Sequence, residues 1–396
     1  MTPRRVLLAT RIFAPESAAA TFRLSALVRA LTGRAARVRV LTTTVPPSLR
    51  GSRAAEPPAR AEISRWPVLR DATGYVRGYL PYLSFDLPLT LRLLTARRPD
   101  VVVVEPPPTT GAVARAVLAL RSVPYVYYAA DVWSDATASM GAPAPVVQVM
   151  RLVERFALRG ARDVIAVSDG VAERVRALAP RARVTVVLNG IDTDVFTPDG
   201  ELPAEAPDTP YLVYAGTASE WQGAEIFAEA MREVVREEPG ARLIFLGQGA
   251  SWPVLQQIRD DLPEGAIELR PLAPPQEAAA WQRGAAAAVV SVKPGVGYDF
   301  AYPTKVIAAL GCGTQVIFAG PGPAAADVAE HDLGRAVPYD ISQVAQAMLA
   351  AVRAGSPDPA ERARLVEWVH RNRSLAATGR AAAQVVLGPE VTQQPM

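Results

Sequence analysis

Apolar and polar positions follow one another in blocks along this chain, and the blocks repeat one order. A short apolar run comes first, then a loop, then a longer stretch with apolar residues every three or four positions. In the first half the apolar runs are residues 5–10, 38–42, 101–104, 123–130, 163–167 and 184–188. Runs of this kind, apolar without alternation, mark strands of a parallel sheet covered on both faces. Between them, Phe22, Leu24, Leu27, Val28 and Leu31 have helical spacing within residues 20–31, and residues 145–158 and 170–178 also read as helices. Ser168 is the predicted cap of the helix at 170–178, and Thr109 or Thr110 that of a helix ending at Leu120. Residues 46–60, rich in Pro and Arg, read as a surface loop. Residues 75–94 hold Tyr75, Tyr79, Tyr82, Phe85 and many leucines, interrupted by Pro81 and Pro88, with Arg77, Arg92, Arg97 and Arg98 around them. The expectation is a helix packed on the sheet; the alternative is an interfacial segment touching lipid.

The same order resumes after the turn Asn189-Gly190-Ile191-Asp192 and a Pro-rich, acidic linker at residues 200–210. Strands are expected at residues 211–214, 243–246, 267–269 and 288–292, and helices near 324–330, 341–353, 359–369 and 375–387. Strands alternating with helices in two halves imply two doubly wound sheets, and 396 residues exceed what one core usually serves. The predicted fold class is α/β, with two Rossmann-like domains whose parallel sheets face across a cleft. The domains are residues 1–199 and 203–370, and the helix at 375–387 is expected to return to the first, because a linker alone would leave the two free to hinge.

Ligands of such sheets bind beyond the carboxyl ends of the strands, so chemistry is sought there. The loop after the first strand carries Phe13, Pro15, Glu16 and Ser17; Glu105 ends a later strand, and Asp131-Val132-Trp133 ends the next. The dinucleotide fingerprint G-x-G-x-x-G is absent from the opening loop. In the second half, Gly216 and Gly247-Gln248-Gly249 sit where strands end and allow backbone to approach a ligand closely. The most organised stretch is a Gly- and Tyr-rich loop at 294–302, followed by Pro303-Thr304-Lys305 and a short helix at 306–310 that stops at Gly311 and Gly313. Thr304 is the predicted cap, free N–H groups point out of that end, and Lys305 adds a mobile charge: together an anion site. Lys293 and Lys305 are the chain's two lysines, and both border this loop. An ammonium suits a phosphate that must be held and then released, since it is a point charge rather than a planar fork.

Charge sharpens this picture. Through residue 195 there are about 27 arginines against about 15 acids, so the remainder is net acidic if the chain totals +3. A basic first half favours an anionic lipid surface or a phosphorylated acceptor, and a solvated arginine-rich surface accounts for it equally well. The arginines lack a nucleic-acid-binding module or interleaved stacking aromatics, so nucleic acid is not an expected partner. A single cysteine, Cys312, excludes an internal disulfide framework and fits a reducing compartment. No secretory signal and no membrane-spanning run is read, so the expected location is cytoplasmic, with peripheral contact at the inner face of the membrane as an extension of it.

The ordered set Ser168-Asp169-Gly170-Val171, Asn189-Gly190-Ile191-Asp192, Tyr214-Ala215-Gly216 with Gln222-Gly223, Gly247-Gln248-Gly249 and Pro303-Thr304-Lys305 resembles a family 4 glycosyltransferase of GT-B fold. Asp131-Val132-Trp133 and Gln222-Gly223 are most similar to the branch that builds bacterial surface polysaccharides, including fucosaminyltransferase-like members. The resemblance implies retaining transfer of a sugar from a nucleotide diphosphate donor, without metal or other cofactor, to a glycan, lipid-linked or small-molecule acceptor. It places the donor on the second domain, at Gly216, Thr217, Gln222, Gly223, Gly247, Gln248, Gly249, Tyr302, Pro303, Thr304 and Lys305. The acceptor side falls on Phe13, Pro15, Glu16, Ser17, Glu105 and Trp133, and Asp131 and Lys305 are the catalytic candidates.

The chain also departs from the family pattern. Where many members have a glutamate pair, it has Phe300 and Ala308, with Asp299 the nearest carboxylate; Thr217 and Gln222 stand where an arginine and a lysine are common. The first domain has no histidine, since His331 and His370 are the chain's two. The competing expectation is therefore a GT-B protein without sugar-nucleotide chemistry that serves as the binding partner of an active transferase.

Overall fold

The computed structural model describes residues 3–16, 19–46, 60–71, 76, 78–139 and 142–388. Two compact units result, one made of residues up to Asn189 together with those from Leu375, the other of Gly190–Ser374. Residues 47–59, Ser17, Tyr75 and Arg77 lie outside the described residues.

Unit 1 runs β1 (Arg5–Ala9), α1 (Ala19–Gly33), β2 (Arg37–Thr43), β3 (Ala61–Trp66), α2 (Tyr79–Thr95), β4 (Val101–Val104), α3 (Pro108–Leu120), β5 (Tyr125–Ala129), α4 (Trp133–Ser139), α5 (Ala144–Gly160), β6 (Asp163–Ala166), α6 (Asp169–Leu178) and β7 (Val184–Val186). Its seven strands are parallel in the order β3-β2-β1-β4-β5-β6-β7. Because successive side chains point to opposite faces, Leu7 and Ala9 join one core with helices α2, α3 and α5, while Val6 and Leu8 join another beneath α1. The register Val6↔Val101 to Ala9↔Val104 aligns the ends of β1 and β4.

Unit 2 runs β8 (Tyr211–Ala215), α7 (Glu225–Glu237), β9 (Arg242–Leu246), α8 (Trp252–Asp260), β10 (Ile267–Arg270), α9 (Pro275–Gly284), β11 (Ala287–Ser291), α10 (Thr304–Gly311), β12 (Val316–Ala319), α11 (Pro323–Glu330), β13 (Gly334–Val337), α12 (Ile341–Ala354) and α13 (Pro359–Asn372). Its order, β10-β9-β8-β11-β12-β13, repeats that of unit 1 without the seventh strand. The last helix, α14 (Leu375–Leu387), belongs to unit 1. It lies along α1, where a methyl group on Gly379 would sit 2.6 Å from the Ala26 carbonyl oxygen, and it adds Ala382, Ala383 and Val386 to the core beneath α1.

Several local expectations need correction. Helix α3 begins at Pro108 with Pro107 as its cap residue, so neither Thr109 nor Thr110 caps it; the Thr110 hydroxyl instead donates to Asp86 across 2.6 Å. Ser168 does cap α6, accepting from the Val171 N–H at 3.2 Å. Pro81 and Pro88 do not interrupt the helix around them: Pro81 lies in the first turn, where the N–H has no intrahelical partner anyway, and Pro88 is accommodated inside α2. The Pro-rich residues 200–210 do not divide the units. The division falls at Asn189, because Ile191 bridges Ser374 and Arg283 holds the carbonyls of Thr197 and Glu201.

Candidate functional site

In both sheets the chain reverses direction at the pair formed by the first and fourth strands, and a ligand is expected beyond the carboxyl ends of that pair. In unit 2 the pair is β8 and β11. Gly216 leaves β8 with φ 120°, a conformation that a side chain disfavours, and its N–H donates to the Leu246 carbonyl at 2.7 Å. Gly247 passes so close that a methyl group there would lie 2.1 Å from the Gly216 carbonyl oxygen; one on Gly249, at φ 144°, would lie 2.3 Å from that of Ala218. The Gln248 carbonyl accepts from the Ala218 N–H at 2.8 Å, so the two glycine loops form one backbone floor, with the side chains of Thr217 and Gln248 exposed above it.

Lys305 reaches this floor from the first turn of α10. Its Cε would be 3.1 Å from a methyl group on Gly216, and its Nζ stands 5.2 Å from the centre of the Tyr214 ring. Among the described residues it has no carboxylate partner, whereas Lys293 pairs with Glu225 at 3.3 Å. Desolvation pushes the Lys305 ammonium down to about 8, so its charged form is underserved by the free protein and favoured by an arriving anion. The predicted Thr304 cap is a correction. Pro303 holds the cap position and has no side-chain acceptor, and Thr304 is the first helical residue, exposed. This leaves the first N–H groups of α10 without a side-chain cap, and the anion geometry survives through the backbone.

Other predicted donor residues have local roles. Gln222 is buried and its amide oxygen accepts from the Ser219 N–H at 3.0 Å, while its carbonyl accepts from Ser291 at 2.6 Å, so it braces the loop. Gly223 at φ 61° lets the Tyr339 hydroxyl donate to its carbonyl at 2.7 Å. Tyr302 donates to Asp327 at 3.0 Å beneath the Arg373 guanidinium and fixes the approach to Pro303. At the two family glutamate positions, Ala308 is buried in α10 and Phe300 is half exposed. Phe300 ends a ladder that sequence reasoning missed: Trp221 stacks on Tyr298 with ring centres 5.1 Å apart, and Tyr298 on Phe300 at 6.4 Å.

In unit 1 the corresponding pair is β1 and β4, and the Thr10 hydroxyl after β1 donates to Glu105 after β4 at 2.6 Å. Arg23 completes a buried pair with Glu105, also at 2.6 Å. Glu16 is engaged in two bonds from Arg70, at 2.9 and 3.1 Å, and is buried. Phe13 has no exposed surface and belongs to the core beneath α1, so it anchors the loop and cannot touch an acceptor. Pro15 is half-buried beside it, and Ser17 lies outside the described residues. Asp131 follows β5, exposed and without an ion pair among the described residues. Trp133 is held by Glu154, which accepts from the Trp133 and Ser134 N–H groups at 2.8 and 3.1 Å and whose carboxyl is raised by burial.

Sequence reasoning also missed a buried cation and a buried carboxyl. Arg11 sits 4.3 Å from the Tyr82 ring centre and 5.8 Å from that of Trp133, donating to the carbonyls of Val76 and Pro106. Asp86, raised by burial against the bond from Thr110, is a lone carboxyl in a leucine-rich helix. That isolation was the available signal, since an acid at a core-facing position needs a partner.

Comparison with known proteins bears on both sites. Residues 19–190 match the glycosyl transferase 4-like domain, and residues 209–354 the glycosyl transferases group 1 domain. The chain belongs to the glycosyltransferases. No curated protein sequence matches this glycosyltransferase. Solved structures do, and they show the fold to be GT-B. HepE of Anabaena in complex with UDP is 15% identical with a TM-score of 0.67, the match covering 97% of this chain and 99% of that one. WaaG, a glycosyltransferase involved in lipopolysaccharide biosynthesis, is 14% identical with a TM-score of 0.65, covering 97% and 100%. The catalytic domain of starch synthase IV from Arabidopsis thaliana, bound to ADP and acarbose, is 13% identical with a TM-score of 0.66, covering 97% and 99%.

Proposed function

We propose that this glycosyltransferase moves a sugar, with retention and without a metal ion, from a nucleotide diphosphate sugar held by unit 2 to a sugar-bearing acceptor on unit 1. The observation that carries the donor half is Lys305: a desolvated ammonium with no carboxylate partner among the described residues, over the Gly216 backbone and at an uncapped helix start. A diphosphate there would meet one ammonium and backbone N–H groups, donors that neutralise leaving-group charge without a divalent ion. Retention is carried by the likeness of motif order alone. Asp131, exposed beyond β5, is assigned the acceptor hydroxyl as base or orienting group. A role in surface-polysaccharide assembly and a cytoplasmic location rest on Asp131-Val132-Trp133, Gln222-Gly223 and the single thiol of Cys312.

Thermal shift against UDP-, GDP-, ADP- and TDP-sugars tests the donor assignment. The matching base at about a hundred times its dissociation constant should add about 2.7 kcal/mol. Failure of every nucleotide to shift the transition would overturn it. One observation favours a second reading, a GT-B protein that binds a partner transferase and does not catalyse: neither Phe300 nor Ala308 can offer a carboxylate to a donor. That reading predicts donor binding with no release of sugar from any donor that shifts the melt, with or without added acceptors.

A further inference from the structure

Helix α2 presents an outward face unlike the rest of unit 1. Leu80, Leu83, Leu87, Leu91 and Leu94 are all exposed, Leu80 by 69% and Leu87 by 65%. Steps of three and four residues place them in one stripe, about 20 Å long at 1.5 Å per residue. The inward face of the same helix is already satisfied, with Phe85, Leu89 and Leu93 in the core shared with α3 and α5. The leucines are therefore surplus to folding, and scattered single exposures are common where a continuous stripe is not.

The stripe has neighbours of matching character. Helix α3 packs between α2 and α5, and all three cover the same side of the sheet, so their outer faces form one surface. On α5 that surface shows Val149, Leu152 and Phe156, and at the end of α3 it shows Leu120. The exposed charges that these three helices carry are all of one sign. Arg151, Arg155 and Arg159 line α5, Arg115 of α3 lies over the Phe156 ring at 4.1 Å, and Arg97 and Arg98 follow the end of α2. The three helices hold two acids, Asp86 and Glu154, and both are buried with their oxygens engaged inside the unit. An apolar stripe with cations and no exposed carboxylate complements an anionic, apolar-cored surface. It opposes a second copy of itself, which would bring the same arginines together.

We propose that the outer face of α2, α3 and α5 docks on an anionic lipid bilayer, the leucines of α2 entering the acyl boundary and the arginines meeting lipid phosphates. No helix of the described residues is long and apolar enough to cross a membrane, so the contact is in the plane of the surface. The inference does not depend on the donor site, which lies in the other unit.

Co-sedimentation of the full chain with vesicles of phosphatidylcholine alone and with 30% phosphatidylglycerol, at 50 and 500 mM salt, tests it. Binding should be at least tenfold tighter to the anionic vesicles and should weaken in high salt. The triple variant L83E/L87E/L91E should lose at least tenfold in vesicle binding. It should keep its melting temperature, because these side chains are exposed, and keep the thermal shift with nucleotide, because that site is in unit 2. R151E/R155E/R159E should lose the preference for phosphatidylglycerol. Equal binding of wild type and the leucine variant to anionic vesicles would overturn the proposal, as would absence of binding. A wild-type dimer by light scattering that the leucine variant abolishes, without vesicle binding, would assign the face to a second copy instead.

Discussion

Replacing Lys305 by alanine separates what that residue does for the ligand from what it does for the fold. The ammonium is lowered from 10.5 to about 8 by desolvation alone, which at 1.36 kcal/mol per unit is a cost of up to about 3 kcal/mol to the free protein at neutral pH. Alanine removes that cost and forfeits the packing of a lysine stem beside Tyr214 and Gly216, so thermal stability should stay level or rise. Affinity should move the other way. A charge-assisted contact to phosphate contributes about 1.5–3 kcal/mol, so a nucleoside diphosphate should bind about ten- to 150-fold more weakly. Isothermal titration of wild type and Lys305→Ala, using the base selected by thermal shift and repeated from pH 6.5 to 9.5, reads both the loss and its origin. Wild-type affinity should be flat below about pH 7 and decline as pH rises through 8, because binding needs the ammonium and a bound anion raises its pKa. The variant should show no such decline. Unchanged affinity in Lys305→Ala refutes the site. A lost affinity accompanied by a fall of several degrees in melting temperature would show instead that the lysine is a structural residue.

The same desolvated lysine fixes a sign in stability. The unfolded chain holds that proton up to about pH 10.5 and the folded chain only to about 8, so wild-type stability relative to Lys305→Ala should rise between those values in urea titrations. Asp131→Asn should lower turnover about a hundredfold or more with donor affinity unchanged; intact turnover with a verified acceptor would remove Asp131 from the reaction. Gly247→Ala forces a methyl group to within 2.1 Å of the Gly216 carbonyl and should destabilise unit 2 by about 1–3 kcal/mol, read by denaturation with and without nucleotide. Gly379→Val meets the Ala26 carbonyl at 2.6 Å and should lower the melting temperature while leaving nucleotide affinity intact.

Most central strands were legible because burial on both faces leaves nothing but apolar residues, as in Val101–Val104, although Val316–Ala319, equally apolar and buried, was not assigned. Of the edge strands, those at 184–188 and 267–269 were read and two were not. Ala61–Trp66 mixes Glu62, Ser64 and Arg65 among its apolar residues, and Gly334–Val337 opens on glycine and arginine, so neither carries a strand's usual signature. Helix α4 was hidden for another reason: its start is fixed by Glu154 from α5, a contact no local pattern encodes. Within the site, Lys305 stood out because lysine is so rare in this chain. Gln222 and Phe13 drew attention by sitting in motif loops, and only their burial reveals that they brace those loops. Asp86 could be flagged as odd, but its partner Thr110 lies 24 positions away in sequence.

Closure of unit 1 by α14 has a consequence for how the protein is made. Unit 2 is one continuous segment, so all of it has been synthesised before Leu375 is added. The sheet made first is thus finished last: Val6, Leu8 and Leu24 wait for Ala382, Ala383 and Val386 while Gly190–Ser374 is translated. At 5–20 residues per second that interval is about 10–40 s, during which the nascent chain carries an apolar face one helix short of cover. A released chain ending at Ser374 should accordingly be cut by protease within unit 1 while unit 2 resists, and the full chain should resist in both.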